Sequence, residues 1–135
     1  MRWAVKEDDT VTVAYWMVLA CAMLPYLTVG VAKYRKDYDN SAPRPQLEQG
    51  EGFRQRAYWA HLNLFEGFPP FAAGVIIAHL AGATQGRIDA LAVAFVTLRV
   101  IYVGLYLADK PAARSVVWVA GFACVIGLFV VAGGI

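Results

Sequence analysis

Seven side chains in two helical stretches of this sequence are of types that could do chemistry together: Arg56, His61, Asn63 and Glu66 in one, Arg99, Tyr102 and Tyr106 in the other. Glu66 and Arg99 set the problem, because both stand in apolar surroundings. An ionisable side chain inside a membrane span costs roughly 2.5–3.5 kcal/mol on insertion scales, so each needs a partner or a purpose. At about 100° per residue, Arg56, Trp59, Asn63 and Glu66 fall on one narrow stripe of a helix, and Arg99, Tyr102 and Tyr106 fall on one stripe of another. His61 lies on a different stripe and should point toward another helix or another subunit. Such a set could tie helices together through hydrogen bonds, or it could converge on a polar ligand. The first reading suffices for Glu66 with Arg99 alone. It weakens as the set grows to include Arg56, the tyrosines and Arg114.

The elements that must position these residues are long apolar helices. Of the chain's 135 residues, 59% are apolar and 16% charged, a poor composition for a soluble globule of this size. The apolar residues are also segregated: positions 11–32 and 115–135 carry no charge, and 67–85 and 90–98 are similarly clean. About twenty apolar residues rising about 1.5 Å each cover the ~30 Å hydrocarbon core. The expected fold is an all-α integral membrane bundle of four transmembrane helices in a single domain, at about 10–33, 54–81, 88–108 and 114–134, with a polar loop over 34–53. Pro43, Pro45, Gly50 and Gly52 act as breakers in that loop.

The first apolar segment is not read as a secretory signal, because Glu7, Asp8 and Asp9 precede it where a basic region belongs. Cys21 and Cys124 lie within the first and last spans and read as small packing residues. Glu66 should lie about 15 Å below the membrane edge marked by Arg56, and Arg99 about 13 Å below the one marked by Ala108. Opposite charges at matching depth on antiparallel helices should pair. Lysines and arginines favour the cytosolic side. Lys33, Arg35, Lys36, Arg44, Arg54, Arg56, Lys110 and Arg114 outweigh Arg2, Lys6 and Arg87, so the basic loops should be cytosolic and both termini outside.

The run from Arg56 through His61, Asn63 and Glu66 to Pro69, followed by Arg99-x-x-Tyr102-x-x-x-Tyr106, resembles the signature of the MAPEG family, the membrane-associated proteins of eicosanoid and glutathione metabolism. The resemblance covers the whole four-helix plan and is closest to bacterial-type members similar to the microsomal glutathione transferases, which would place the chain in a bacterial inner membrane. It implies a homotrimer with glutathione as co-substrate between subunits, reached from the cytosol. It further implies that Arg56, His61, Asn63, Glu66, Arg99, Tyr102 and Tyr106 bind glutathione, with Lys33 contributing from the end of the first helix, and that Arg114 stabilises the thiolate. A thiol of pKa about 8.5 becomes a nucleophile at neutral pH when a fixed cation lowers that value. The sequence departs from the fuller pattern at Trp59, where a second arginine would stand, and bidentate arginine contacts supply energy and geometry for carboxylates.

Three functional readings follow. One is glutathione conjugation to an apolar electrophile or reduction of a lipid hydroperoxide. Another is a non-catalytic trimer that binds membrane lipids or serves a membrane complex as an accessory partner. A small transporter is third, since such carriers keep their essential carboxylate in the first helix and this one has none. Nothing points to nucleic acid. His79 is read as an interfacial or packed histidine, and its separation from His61, about 27 Å along one helix, argues against a metal or haem held by that pair.

Overall fold

The computed structural model describes residues 11–135, which form helices and turns with no strand. Residues 1–10, including Arg2, Lys6 and the acidic residues ahead of the first span, lie outside the described residues. The first helix, α1 (Val13–Lys33), begins where the Thr12 hydroxyl accepts the Tyr15 backbone N–H at 3.2 Å. Its start is also tied across the bundle. The Ala14 N–H donates to Asp89 Oδ1 at 3.0 Å, and Gln85 Nε2 donates to the same oxygen at 2.7 Å. A carboxylate at the positive end of a helix satisfies an orphan N–H and opposes the helix dipole. Asp89→Ala should cost about 1–2 kcal/mol, read as a lowered unfolding midpoint together with faster hydrogen exchange at Ala14.

The segment 34–53, expected to be loop throughout, contains a short helix, α2 (Pro43–Glu48). Pro43 does not break it but starts it, since a proline at the first helical position lacks only an N–H that would be unsatisfied anyway. Ahead of α2, the Arg35 guanidinium hydrogen-bonds the Asp37 carboxylate and holds its pKa down to about 2. Asp39 is also held below the usual carboxylate range, by the Ser41 backbone N–H and hydroxyl. A depressed carboxylate contributes above its unfolded pKa and loses that contribution as pH falls through the folded value. A chemical-shift titration of Asp37 should therefore show a midpoint near 2, rising toward the ordinary range in Arg35→Gln.

Three longer helices follow: α3 (Gly52–Leu80), α4 (Gln85–Leu107) and α5 (Pro111–Ala132). Pro111 starts α5 as Pro43 starts α2, which brings Arg114 inside its first turns rather than at its beginning. Between α3 and α4 the chain reverses at Gly82, whose φ of 75° permits the bond from Ala83 N–H to the Ala78 carbonyl at 3.1 Å. Asp109 takes the equivalent left-handed position after α4, with φ 56°, and Lys110 N–H reaches the Leu105 carbonyl at 3.0 Å.

By length and composition α1, α4 and α5 are fit to cross a membrane. Although α3 is the longest at 29 residues, Arg54, Arg56, His61, Asn63 and Glu66 lower its hydropathy, so three helices rather than four meet that standard. The four long helices pack mutually, α1 on α3 and α4, and α5 on α3 and α4. The core joins Ala14 and Cys21 to Phe71, Val75 and Ala78, to Ile88, Ala92 and Phe95, and to Val125 and Leu128. Phe71 and Phe95 stack at its centre with centroids 4.2 Å apart. Fully buried alanines at 14, 57, 60, 78 and 92 let backbones approach closely, the packing logic of helices in lipid. Outward faces carry large apolar side chains instead, as at Val116, Val119 and Ile126.

Candidate functional site

Arg99 is the buried charged residue among those described, 4% exposed. Its guanidinium packs against α3 at Gly67, where a Cβ would collide with Nη2 and stand 3.1 Å from Cζ. Nη1 donates to Asn63 Oδ1 at 3.1 Å, and the group lies 5.0 Å from the Phe95 ring centroid and 5.4 Å from that of Tyr102. Asn63 passes the polarity on, since its Nδ2 donates to Glu66 Oε2 at 3.4 Å. The amide thus presents oxygen to the cation and N–H to the carboxylate.

The expected direct pairing of Glu66 with Arg99 does not occur: the ion pair among the described residues is Arg35 with Asp37. The reason is angular. The face that α3 turns inward is marked by the buried residues Ala57, Ala60, Leu64, Phe71 and Gly74. Gly67 sits one turn from Asn63 and Phe71 on that side, while Glu66 is rotated about 100° from Gly67 and is exposed. Matching depth brought the opposite charges to one level, but Asn63 occupies the position between them.

On α4, Tyr102 is 5% exposed and meets Tyr106 edge to face, with centroids 5.6 Å apart. The Arg114 guanidinium carbon lies 4.0 Å from the Tyr106 ring centroid. Two cavities flank this group. One, about 300 Å³, has a mixed polar and apolar lining of Asn63, Tyr102, Arg114, Ser115, Trp118 and Val119. The other, about 100 Å³, has Asn63, Glu66 and Arg99 at its polar side and Pro70, Phe95 and Phe122 among its apolar walls. Asn63 and Trp118 line both. Arg56 reaches the end of α4, donating from Nη2 to the Leu107 carbonyl at 3.2 Å, while its buried Nε has no acceptor among the described residues.

Two expected residues stand elsewhere. His61 faces α1, with Nδ1 2.7 Å from the Pro25 carbonyl; because a carbonyl only accepts, that nitrogen carries the proton. Its ring packs between Tyr58 and Phe65, at 6.2 and 4.9 Å. Lys33 lines a separate cavity with Tyr34, Arg35, Lys36 and Arg54. His79 packs on Tyr15 at 5.0 Å and contacts Gln85 Oε1 at 3.1 Å. No group of three or more His, Cys, Asp or Glu side chains among the described residues could hold a metal ion. Sequence reasoning passed over Gly67 and Trp118. Trp118 carried a signal, one helical turn beyond Arg114, whereas Gly67 acquires its role only from the arginine that packs on it.

The family model for the MAPEG family matches residues 13–134, nearly the whole chain. No curated protein and no solved structure gives a significant match.

Proposed function

The chain belongs to the MAPEG family, which makes it a membrane protein related to eicosanoid and glutathione metabolism, and from that premise we propose that it is a glutathione-dependent enzyme. Its reaction would be conjugation of the thiol to an apolar electrophile, or reduction of a lipid hydroperoxide. The observation that carries this reading is two unlike cavities that share Asn63 and Trp118, one of mixed lining that holds Arg114, Tyr102 and Ser115 and one mainly apolar. A polar thiol compound and an apolar acceptor need that juxtaposition to react. Arg114 lies near the start of α5, so its charge adds to the partial positive charge of the helix end. Together they would favour the thiolate over the thiol.

The reading includes a homotrimer with α3 as a fourth span and the Lys33–Arg54 end in the cytosol. An exposed Glu66 on a lipid-facing helix would be costly, so a neighbouring copy or the ligand is needed to cover it. In such an assembly Lys33 and His61 could reach a ligand held mainly by another subunit.

The test is titration of glutathione into the detergent-solubilised protein by calorimetry, with absorbance followed at the thiolate band. Wild type should bind saturably with a thiolate signal. Arg114→Ala should lose that signal and, by analogy with removal of one donor to a developing anion, roughly a hundredfold or more in turnover. A second reading is favoured by Trp59, 45% exposed where the fuller pattern carries a second arginine: a non-catalytic trimer that binds lipid or a membrane-complex partner. Absence of binding at millimolar glutathione would select it.

A further inference from the structure

At the end of the bundle where α1 gives way to α2 and α3, a cavity of about 410 Å³ is lined by four cations and a tyrosine: Lys33, Arg35, Lys36, Arg54 and Tyr34. Arg35 is neutralised by Asp37, which also acts on Arg54 through space, and Asp37 and Glu51 border the adjoining cavity; no carboxylate lies within ion-pair distance of Lys33, Lys36 or Arg54 among the described residues. Arg54 is held in place rather than free to swing out. Its Nε donates to the Tyr34 carbonyl at 3.1 Å, and its guanidinium carbon lies 5.2 Å from the Phe53 ring centroid. Both contacts hold the guanidinium at the wall of the cavity that Lys33 and Lys36 also line. Like charges gathered on one cavity repel unless an anion joins them.

The location narrows the anion. The apolar run of α1 stops at Lys33, and Tyr34 and Phe53 are 81% and 46% exposed at the same level. Aromatic side chains next to basic ones mark the headgroup layer of a membrane, and basic pockets between helices at that level suit anionic headgroups. We infer that this cavity binds a phosphate anion, supplied by the phosphodiester of an anionic phospholipid, with Lys36 and Arg54 as its principal ligands. The site is separate from the Asn63–Arg114 cavities, sharing with the residues proposed to reach glutathione only Lys33, which is not among its principal ligands, and it does not depend on the protein's using glutathione.

The experiment uses the full chain in uncharged detergent, with bound phosphatidylglycerol or phosphatidylcholine counted by native mass spectrometry across a lipid titration. Phosphatidylglycerol should bind saturably, at least tenfold more tightly than phosphatidylcholine, whose ammonium group the cations repel. Lys36→Gln with Arg54→Gln should weaken it by roughly tenfold or more, given the scale of attraction per basic residue, while leaving glutathione titration as in wild type. Excess inorganic phosphate that fails to displace the lipid supports the lipid as source; phosphate that displaces it and raises the melting temperature alone assigns the site to free phosphate and overturns the lipid assignment. Equal binding of the two lipids would overturn the inference, as would unchanged phosphatidylglycerol binding in a folded double variant. Should that variant not fold, wild type alone decides: phosphatidylglycerol affinity must fall as salt rises, and a salt-independent affinity refutes the site.

Discussion

Arg99→Met should leave the fold as stable as wild type or more so, while abolishing glutathione binding. The two halves of that expectation come from the same environment. Arg99 is 4% exposed and has one hydrogen-bond acceptor, Asn63, which is neutral. Burying the cation costs roughly 2.5–3.5 kcal/mol on insertion scales. A hydrogen bond to a charged group returns about 1.5–3 kcal/mol, and each aromatic contact about 0.5–2. With a neutral acceptor and ring centroids 5.0 and 5.4 Å away, the low ends of these ranges apply, about 2.5 kcal/mol in all, which matches the cost and leaves the arginine little net stability to add. Replacing a whole buried ion pair with apolar residues of similar volume is often neutral or stabilising by about 1–4 kcal/mol, and Arg99→Met removes a buried charge in the same way, leaving only the neutral Asn63 Oδ1 without this donor. Asn63→Leu should behave oppositely. It keeps the buried cation and removes its acceptor, which is expected to cost about 3 kcal/mol. Unfolding in mixed detergent would rank the two variants, and calorimetry would report glutathione. An Arg99→Met protein that is less stable by more than about 2 kcal/mol yet still binds glutathione would make Arg99 a structural tie and remove it from the proposed site.

Legibility in the sequence was uneven, and the divisions have physical causes. Long, predominantly apolar runs identify α1, α4 and α5, α4 despite Arg99, because lipid admits few charges over such lengths. The helical period is also sufficient to separate His61 from Asn63 and to turn it toward another helix or subunit, though not to identify that helix as α1 or its partner as the Pro25 carbonyl. Charge matching misled at Glu66. Two opposite charges at one depth look like a pair when only sequence is available, whereas the contact is decided by the few tens of degrees that put Asn63 rather than Glu66 toward α4. Pro43 was read as a breaker because proline ends helices in their interior, and the same residue begins one when it comes first. Gly67 gave no signal, since the space beside a glycine is defined by what a distant segment places there.

Gly67→Ala should destabilise the wild type and stabilise Arg99→Met, a reversal of sign that isolates the contact between these two positions. Gly67 lies inside α3, where alanine is intrinsically favoured over glycine by about 1 kcal/mol. Against that stands the collision of the new Cβ with Arg99 Nη2. The end of an arginine could ordinarily swing aside at little cost. This one is confined by Asn63, Phe95 and Tyr102, so moving it sacrifices a charge-assisted hydrogen bond and both ring contacts. Overpacking of this kind costs about 1–3 kcal/mol, enough to exceed the gain in helix propensity. With methionine at 99 the guanidinium is gone and the flexible thioether can adapt, so only the propensity gain remains. The coupling energy from the double-mutant cycle should fall at about 1–3 kcal/mol. Additive effects, with Gly67→Ala equally tolerated in both backgrounds, would mean that the arginine is free to move and that Gly67 does not position it.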